Sequence, residues 1–284
     1  MLSISFWNVG EAAQGSNPIV DLASSIAADA TLSGPTGDCL ICLAEPGGLD
    51  GTLLANDLVV KDGRPWWAKT ALSGRFIVIG TVPPSSLKDH SEEGGAYPWT
   101  VVRDINGKLI SVEICFVHLS SPHGDWKPSD FQLMTASLLR KAIEAHENTA
   151  VNGTTLVIGD FNMRPYDSGM INPIGMHAAP CVASTAKPRK INGQTYSYFY
   201  NPMWELQGNW SATRQPGTFY KRNASEAMRW HIIDQVLTRP CAAQLLNGPP
   251  RIFTKAGATD LVTVKGVINK SVSDHLPVAT SLNI

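Results

Sequence analysis

Two short polar motifs, each directly after an apolar run, carry side chains that could act on a phosphate group. Asp160 and Asn162 lie in the motif GDFN, which follows the apolar run at 154–158. They are two positions apart, so in an extended chain they point the same way, and Gly159 is expected to let the backbone turn out of the strand. In the motif SDHLP, Asp274 and His275 set an anion beside a titratable imidazole. Together with further polar strand ends along the chain, the two motifs suggest a metal site that cleaves phosphate esters.

Four more polar residues share a pattern in which an apolar strand finishes in a polar side chain. Asn8, Glu45 and His118 each end such a run, and Asp234 lies within the apolar run 230–237. Taken singly, each has an ordinary alternative, such as a turn residue, a solvated strand end, a core histidine or a buried acid paired with an arginine. Because strand ends that meet at one edge of a sheet can gather their side chains in one cleft, the four together favour a functional site.

The order of these motifs along the chain is similar to that of a known superfamily. The set WNV, a glutamate ending the next strand, VHLS, GDFN, IDQVL and SDHLP resembles the endonuclease/exonuclease/phosphatase superfamily, which has the deoxyribonuclease-I-like fold. The resemblance spans Trp7 to Pro277, and GDFN followed by SDH is its most specific part. It implies a single catalytic domain over residues 1–284, with the α/β fold of a four-layer sandwich, in which two packed mixed β-sheets are flanked by helices.

The resemblance also implies hydrolysis of phosphate esters with Mg²⁺ or Mn²⁺, and it implies roles for the polar residues. Glu45 is expected to be the principal metal ligand, with Asn8 and Asp274 as further oxygen ligands. Such a set agrees with the preference of Mg²⁺ for hard oxygen donors. Asp160 is expected to orient or deprotonate the attacking water, and Asn162 to hold that water or a phosphate oxygen.

Two histidines and one acid complete the set that the resemblance implies. His275 is expected to contact the phosphate as a stabilising or acid/base group, and His118 to donate to another nonbridging oxygen. Asp234 is expected to hold the His275 imidazole in one tautomer, as the orienting acid of a triad does. Both Asp160 and His275 suit the role of general base, and the sequence leaves that choice open.

Apolar periodicity predicts the elements that must position these residues. Strands are predicted at about 2–8, 38–44, 75–82, 99–104, 109–117, 154–158, 230–237, 260–264 and 276–282. One helix is predicted after the cap Ser16-Asn17-Pro18, with apolar residues at helical spacing from Ile19 to Ile26, and a second from about Pro128 to His146. Many strands with few long helices indicate sheets covered by helices rather than a helix bundle.

The region from Lys187 to Trp230 differs in composition from the rest of the chain. It holds seven basic and two acidic residues, with nine aromatic rings interleaved. Cations and flat rings suit a nucleic-acid strand, because phosphates need positive charge and bases stack. We therefore predict a nuclease with DNA as the expected substrate and with the segment Gln194–Arg222 over the site. The substrate-binding candidates are Arg75, Tyr200, Trp204, Lys221 and Arg222.

Three alternatives to this prediction stay open. The basic and aromatic region could be a surface packed by its own rings. The enzyme could instead be a phosphatase or phosphodiesterase for a small ligand, such as a nucleotide or an inositol phosphate. A binding module without turnover is a third alternative, although the predicted metal and water positions carry the expected residue types. Motifs for a serine nucleophile, an HExxH zinc helix and a phosphate-binding P-loop are absent from the sequence.

Bulk composition fits a soluble cytoplasmic enzyme. The net charge is −1, so no whole-molecule field draws the chain to nucleic acid or to a membrane. No apolar run reaches the roughly 18 residues of a membrane span, and the strand-like start does not resemble a secretory signal. Five cysteines, with Cys39 and Cys42 on one predicted strand, are expected to be thiols in a reducing cytoplasm, with those two buried. The sequence shows no clear protein partner and no oligomerisation signal.

Overall fold

The chain divides into two compact units. The computed structural model describes residues 1–10, 17–29, 32, 37–122, 127–148, 154–207, 215–222 and 227–284. The first unit comprises Met1–Pro84, Thr213–His231 and Pro250–Ile284, and the second comprises Ser85–Ala212 and Ile232–Pro249. The single catalytic domain over residues 1–284 stays a prediction. The predicted cap residue Ser16 lies outside the described residues, as do residues 208–214 and 223–226 of the basic and aromatic region, which include Trp210, Arg214 and Glu226.

Each unit combines a mixed sheet with helices, so the predicted α/β class is confirmed. The strands are β1 Leu2–Asn8, β2 Asp38–Ala44, β3 Trp67–Thr70, β4 Phe76–Gly80, β5 Leu87–Asp89, β6 Ala96–Ile105, β7 Lys108–His118, β8 Thr155–Asp160, β9 Ala178–Ala179, β10 Arg189–Ile191, β11 Gln194–Tyr196, β12 Phe199–Tyr200, β13 Phe219–Tyr220, β14 Trp230–His231, β15 Asp234–Thr238, β16 Arg251–Ile252, β17 Lys255–Ala256, β18 Thr259–Asp260 and β19 Val278–Leu282. The helices are α1 Asn17–Ala28, α2 Gly51–Asp62, α3 Pro128–Glu147, α4 Ser168–Ile171, α5 Val182–Thr185 and α6 Pro240–Ala243. Short 3-10 helices cover Pro84–Ser86 and Pro202–Leu206.

A six-stranded mixed sheet forms the centre of the first unit, in the order β16-β19-β1-β2-β4-β3. β1 and β2 run parallel with Asn8 opposite Ala44, and the outer neighbours β19 and β4 run antiparallel to them. Ile26 of α1 and Leu58 of α2 are buried in the same core as Ile41 of β2. Because the two parallel strands end at one edge of the sheet, the polar residues at their ends lie side by side.

A seven-stranded mixed sheet forms the centre of the second unit, in the order β5-β6-β7-β8-β15-β12-β9. β7 and β8 run parallel, and β15 runs antiparallel to β8. The ends of β7 and β8 and the beginning of β15 therefore share one edge of this sheet. Leu139 and Ile143 of α3 are buried in a core with Val117 and Val157 of the sheet. The helix predicted from Pro128 is confirmed, but its buried face differs from the predicted one, because Leu138 is 52% exposed and Arg140 is buried.

α2 is a helix that apolar periodicity did not predict. Leu53 is 62% exposed and Val60 is 88% exposed, so its apolar residues do not form one clean stripe. Its ends are well marked instead. The Asp50 carboxylate accepts from the backbone N–H groups of Thr52 and Leu53, at 2.8 and 3.2 Å. Gly63, in the left-handed conformation, closes the helix.

Two predicted strands differ from the structure. The predicted strand 230–237 is two strands: β14 pairs with β13 in the first unit, and β15 pairs with β8 in the second. The predicted strand 260–264 is wrong, because only Thr259–Asp260 is a strand and Val264 is fully exposed. In both places an apolar run indicated hydrophobic content but not which chain segment would pair with it.

Gly159 has a different role from the predicted turn. It lies inside β8, and a Cβ atom there would stand 1.9 Å from the backbone oxygen of Val117 on the neighbouring strand. Glycine is therefore required for the close approach of β7 and β8. Another prediction holds: Cys39 and Cys42 are both buried. Among the described helices, none combines the length and the apolar character that crossing a membrane requires.

Candidate active site

Three polar side chains form a row across adjacent strands of the second unit. His118 ends β7, Asp160 ends β8 and Asp234 begins β15, and the register sets Asp160 opposite both of the others. Nε2 of His118 lies 4.0 Å from Oδ2 of Asp160, and carboxylate oxygens of Asp160 and Asp234 lie within 4.8 Å of each other. All three residues are buried. Sheet register thus brings together three of the predicted catalytic residues.

Asn162 is held beside this row by its neighbours. Its backbone N–H donates to Oδ1 of Asp160 at 2.8 Å, and its side-chain amide donates to the Leu119 carbonyl oxygen at 2.7 Å. The Ser121 hydroxyl donates to Oδ1 of Asn162 at 2.8 Å. The backbone of Asn162 has φ 50, a left-handed conformation that asparagine tolerates better than most residues. The side chain is therefore oriented before any substrate binds.

His118, Asp160 and Asp234 are residue types that can bind a divalent cation directly or contact the groups that the cation binds. Asp160 and Asp234 are each 1% exposed or less. The positive charge of a cation near two carboxylates at this separation would offset their mutual repulsion. Oxygen donors of this kind are those that Mg²⁺ prefers.

In the first unit, Asn8 and Glu45 stand at the ends of the parallel strands β1 and β2. Asn8 pairs with Ala44, and the N–H of Val9 donates to the Ala44 carbonyl oxygen at 3.0 Å. Glu45 follows directly, with an exposed side chain and a left-handed backbone of φ 50. Its N–H donates to the Arg75 carbonyl oxygen at 3.1 Å. The structure thus brings two of the three predicted metal ligands to neighbouring positions.

The turn that carries Asp274 and His275 is tied to the same strand end. The Ser273 hydroxyl donates to the Asn8 carbonyl oxygen at 2.9 Å and accepts from the His275 N–H at 3.0 Å. The indole N–H of Trp7 donates to the His275 carbonyl oxygen at 3.0 Å. Asp274, the third predicted metal ligand, is half-buried between these tethered residues. The hydrogen bonds of Ser273 therefore connect the backbones of Asn8 and His275, and Asp274 lies between Ser273 and His275 in the chain.

His275 also contacts the β13–β14 hairpin. It forms an antiparallel bridge with Phe219, and the two rings lie 5.0 Å apart between centroids. The Leu276 N–H donates to the Thr218 carbonyl oxygen at 2.7 Å. His275 is only 7% exposed, so the Phe219 ring restricts where the imidazole can point.

Three of the substrate-binding candidates are exposed cations of the first unit. Arg75 directly precedes β4, and its guanidinium is 5.8 Å from the Phe76 ring centroid. Lys221 and Arg222 continue the hairpin beyond Phe219, and the N–H of Lys221 donates to the Arg229 carbonyl oxygen at 2.8 Å. Lys221 is thus about 7 Å along the strand from the residue that bridges His275.

The two aromatic candidates of the second unit are placed differently from each other. Tyr200 pairs with Thr238, four positions along β15 from Asp234, which is about 13 Å in a strand. Burial, followed by the charge of Glu205, raises the pKa of Tyr200. The structure does not bring Tyr200 to the row. Trp204 is half-buried, and its ring centroid lies 6.3 Å from that of Tyr166. Tyr166 is four residues after Asn162 in the chain.

Sequence reasoning missed the residues that hold the predicted ones in place. Ser273 was visible inside SDHLP, and a serine whose hydroxyl can accept from the backbone N–H two residues later is a turn signal. Phe219 and Leu119 carried no such signal, because they act through long-range pairing and through a backbone carbonyl oxygen.

Comparisons with known proteins find similarity in structure alone, which shows a shared fold. No family model and no curated protein matches the sequence. Beta toxin from Staphylococcus aureus matches with a TM-score of 0.55 at 13% identity, over 100% of both chains. TDP2 from D. rerio, complexed with a single-strand DNA product, matches with a TM-score of 0.52 at 15% identity, over 100% of this chain and 99% of that one. The human Nocturnin catalytic domain, with a bound sulfate anion, has a TM-score of 0.52 at 13% identity, over 98% and 93%.

Proposed function

We propose that this chain, which has the deoxyribonuclease-I-like fold of the endonuclease/exonuclease/phosphatase superfamily, is a divalent-metal-dependent phosphoric ester hydrolase. The observation that carries the proposal is the row of His118, Asp160 and Asp234, placed in register on three neighbouring strands. A purely structural role does not call for three buried titratable groups at one sheet edge, because burying them costs free energy.

The proposed metal ligands are Glu45, Asn8 and Asp274. Glu45 offers an exposed carboxylate next to the end of β1, where Asn8 offers an amide oxygen. Bound there, Mg²⁺ or Mn²⁺ would supply positive charge to the phosphate oxygens as the ester bond breaks. The hydrogen bond from the Glu45 N–H to Arg75 fixes the direction in which that carboxylate leaves the strand.

The remaining residues are proposed to handle water and phosphate. Asp160 would orient the attacking water, and Asn162, which is fixed by Leu119 and Ser121, would hold that water or a phosphate oxygen. His118 would donate to a phosphate oxygen. His275 would stabilise the crowded transition state or move a proton, with Asp234 as its proposed orienting acid. Asp160 and His275 both stay candidates for the general base.

We propose that the substrate is a nucleic-acid strand, with DNA as the first choice. The hairpin supports this substrate, because it runs from Phe219 beside His275 to the exposed cations Lys221 and Arg222. Cations roughly 7–10 Å along the hairpin from that contact would meet the next phosphate of a polymer. TDP2 from D. rerio, one of the structural neighbours, holds a single-strand DNA product. The five cysteines of this chain, an odd number that does not resemble a disulfide framework, favour the cytoplasm as its proposed location.

The proposal is tested by incubating the purified chain with Mg²⁺ or Mn²⁺ and labelled single- and double-stranded oligonucleotides. We expect shortened products from the unaltered chain, and no products from Glu45→Ala or after addition of EDTA. Glu93→Ala, which removes an exposed carboxylate of the second unit, serves as the matched control and should keep full activity.

Two other results would redirect the proposal. Phosphate release from a panel of nucleotides and inositol phosphates, without any cutting of oligonucleotides, would favour the phosphatase or phosphodiesterase alternative. Binding without turnover under every metal condition would contradict hydrolysis and favour a binding module.

A further inference from the structure

A second cluster of metal-ligand side chains lies in the second unit, away from the row of His118, Asp160 and Asp234. One ring nitrogen of His90, one of His146 and a carboxylate oxygen of Glu113 all lie within 4.8 Å of one another. Glu113 is five residues before His118 on β7, which is about 17 Å along a strand. The cluster is therefore separate from that row.

The three side chains come from three different elements. His90 directly follows β5, Glu113 lies on β7, and His146 lies in the last turn of α3. Nε2 of His146 is 2.7 Å from Oε2 of Glu113, and the two imidazole rings meet edge-on with centroids 4.3 Å apart. The Glu113 side chain is 4% exposed and that of His146 is 13% exposed. A carboxylate this deeply buried is costly unless a cation or hydrogen bonds compensate it.

Thr100 supports the cluster from behind. It lies opposite Glu113 in the β6–β7 register, and its hydroxyl donates to Oε2 of Glu113 at 2.8 Å. The same hydroxyl oxygen is 2.9 Å from Nε2 of His90. One hydroxyl thus orients both the carboxylate and an imidazole, which is what the outer shell of a metal site does for its ligands.

A cavity of about 260 Å³ opens beside the two histidines, with Glu93, Pro98 and Ala142 among its other lining residues. It provides access for an ion and room for a water molecule. Two neutral imidazoles with one ionised carboxylate form a ligand set that zinc takes with a fourth position open. Zinc bonds of about 2.0–2.2 Å set tetrahedral ligands about 3.3–3.5 Å apart, so the present contacts need to change by little more than 1 Å.

We propose that His90, Glu113 and His146 form a zinc-class transition-metal site, with water from the cavity as the fourth ligand. Imidazole nitrogens favour such ions over Mg²⁺ and Ca²⁺. The bound ion joins the end of α3 to β7 and to the segment after β5. Because only the folded chain holds the three groups together, the ion stabilises the fold.

The test uses the full chain, stripped of metal and then titrated with Zn²⁺, or with Co²⁺ as a spectroscopic substitute, in excess Mg²⁺. We expect one tight site with the visible absorption of four-coordinate cobalt. Free Zn²⁺ at 100-fold above its dissociation constant should raise the thermal midpoint by about 5 °C, and EDTA should reverse the rise. His90→Gln and His146→Gln should each weaken zinc binding by about 10²-fold or more, and Thr100→Val by about 10-fold.

Two control variants separate this site from other binding. Glu45→Ala, which removes a proposed ligand of the hydrolytic metal, should keep the cobalt spectrum and the zinc affinity. Glu93→Gln, at the cavity wall, should do the same. The proposal is overturned if the unaltered chain gives no cobalt spectrum, or if both histidine variants keep the unaltered affinity. Loss of binding in Glu93→Gln equal to that in His146→Gln would also overturn the assignment of ligands.

Discussion

At the level of single residues, two of the proposed active-site positions have an unusual backbone. Glu45 and Asn162 both have φ 50, in the left-handed region. For a residue other than glycine this conformation costs roughly 1–2 kcal/mol, and less for asparagine. A hydrogen bond to Arg75 holds Glu45 there, and hydrogen bonds to Asp160 and Leu119 hold Asn162. Such strain is typical of positions where the direction of a side chain matters more than stability.

Removing one charge or one imidazole tests the proposed chemistry directly. Asp160→Asn keeps an oxygen that can accept from the Asn162 N–H, but it loses the negative charge that we propose to orient the attacking water. His275→Ala removes the group next to Phe219. Each change should lower kcat by about 10²-fold or more with little change in the thermal midpoint, as expected of groups that act in the transition state. Steady-state kinetics on the best oligonucleotide measures both effects.

Asp130→Asn is the matched control, because Asp130 is an exposed acid in the first turn of α3. It should leave kcat unchanged. A near-normal kcat in Asp160→Asn or in His275→Ala would remove that residue from the catalytic set.

At the level of elements, the β13–β14 hairpin is the feature that connects the proposed chemistry to the proposed substrate. Replacing Lys221 and Arg222 together by Ala removes two exposed cations and leaves the Phe219–His275 contact in place. The apparent KM for an oligonucleotide should rise, and the slope of log KM against log salt should become shallower by about one to two units. An unchanged slope would mean that the hairpin does not touch the phosphate backbone.

A second element-level prediction concerns the packing of β7 against β8. In Gly159→Ala the new methyl group collides with the Val117 backbone, which has no flexible end to move aside. We expect a loss of about 3 kcal/mol or more in the free energy of unfolding, or no soluble protein. Gly48→Ala is the control, because open space surrounds that position, and it should change stability by less than about 0.5 kcal/mol. Urea unfolding gives both numbers.

At the level of the whole molecule, stability should depend on pH through a buried histidine. His177 is 3% exposed, and its ring stacks on Tyr198 at 3.7 Å between centroids. Burial lowers the pKa of His177 below its ordinary value, and the charges of Arg140, Arg189 and Arg239 act in the same direction. The unfolded chain therefore binds this proton more readily than the folded one. The contribution of His177 to the stability of the folded chain is present above about pH 6.5 and is lost as pH falls below that value.

His177→Asn tests this dependence, because asparagine does not titrate and tolerates the left-handed backbone of φ 51 at this position. The free energy of unfolding of the variant should fall less between about pH 7.5 and pH 5 than that of the unaltered chain. Parallel curves for the two proteins would show that His177 does not contribute to the pH dependence.

Many of the helices and strands could be predicted from the sequence. β1 and β2 have the predicted bounds, and α3 ends within one residue of its predicted end. These elements have long regular patterns of apolar residues, and such patterns are local. α2 was missed because its caps, Asp50 and Gly63, mark it better than its apolar residues do. The break between β14 and β15 was missed because both halves are equally apolar, and only their partners differ.

The chain alone determined which residue types could do chemistry. GDFN and SDHLP are contiguous, so their identities and local order need no knowledge of the fold. Pairing between distant segments settled the rest: the alignment of His118, Asp160 and Asp234, the contact of Phe219 with His275, and the meeting of His90 with His146. Such pairings depend on strand register and packing across tens of residues, which no local pattern of side chains encodes.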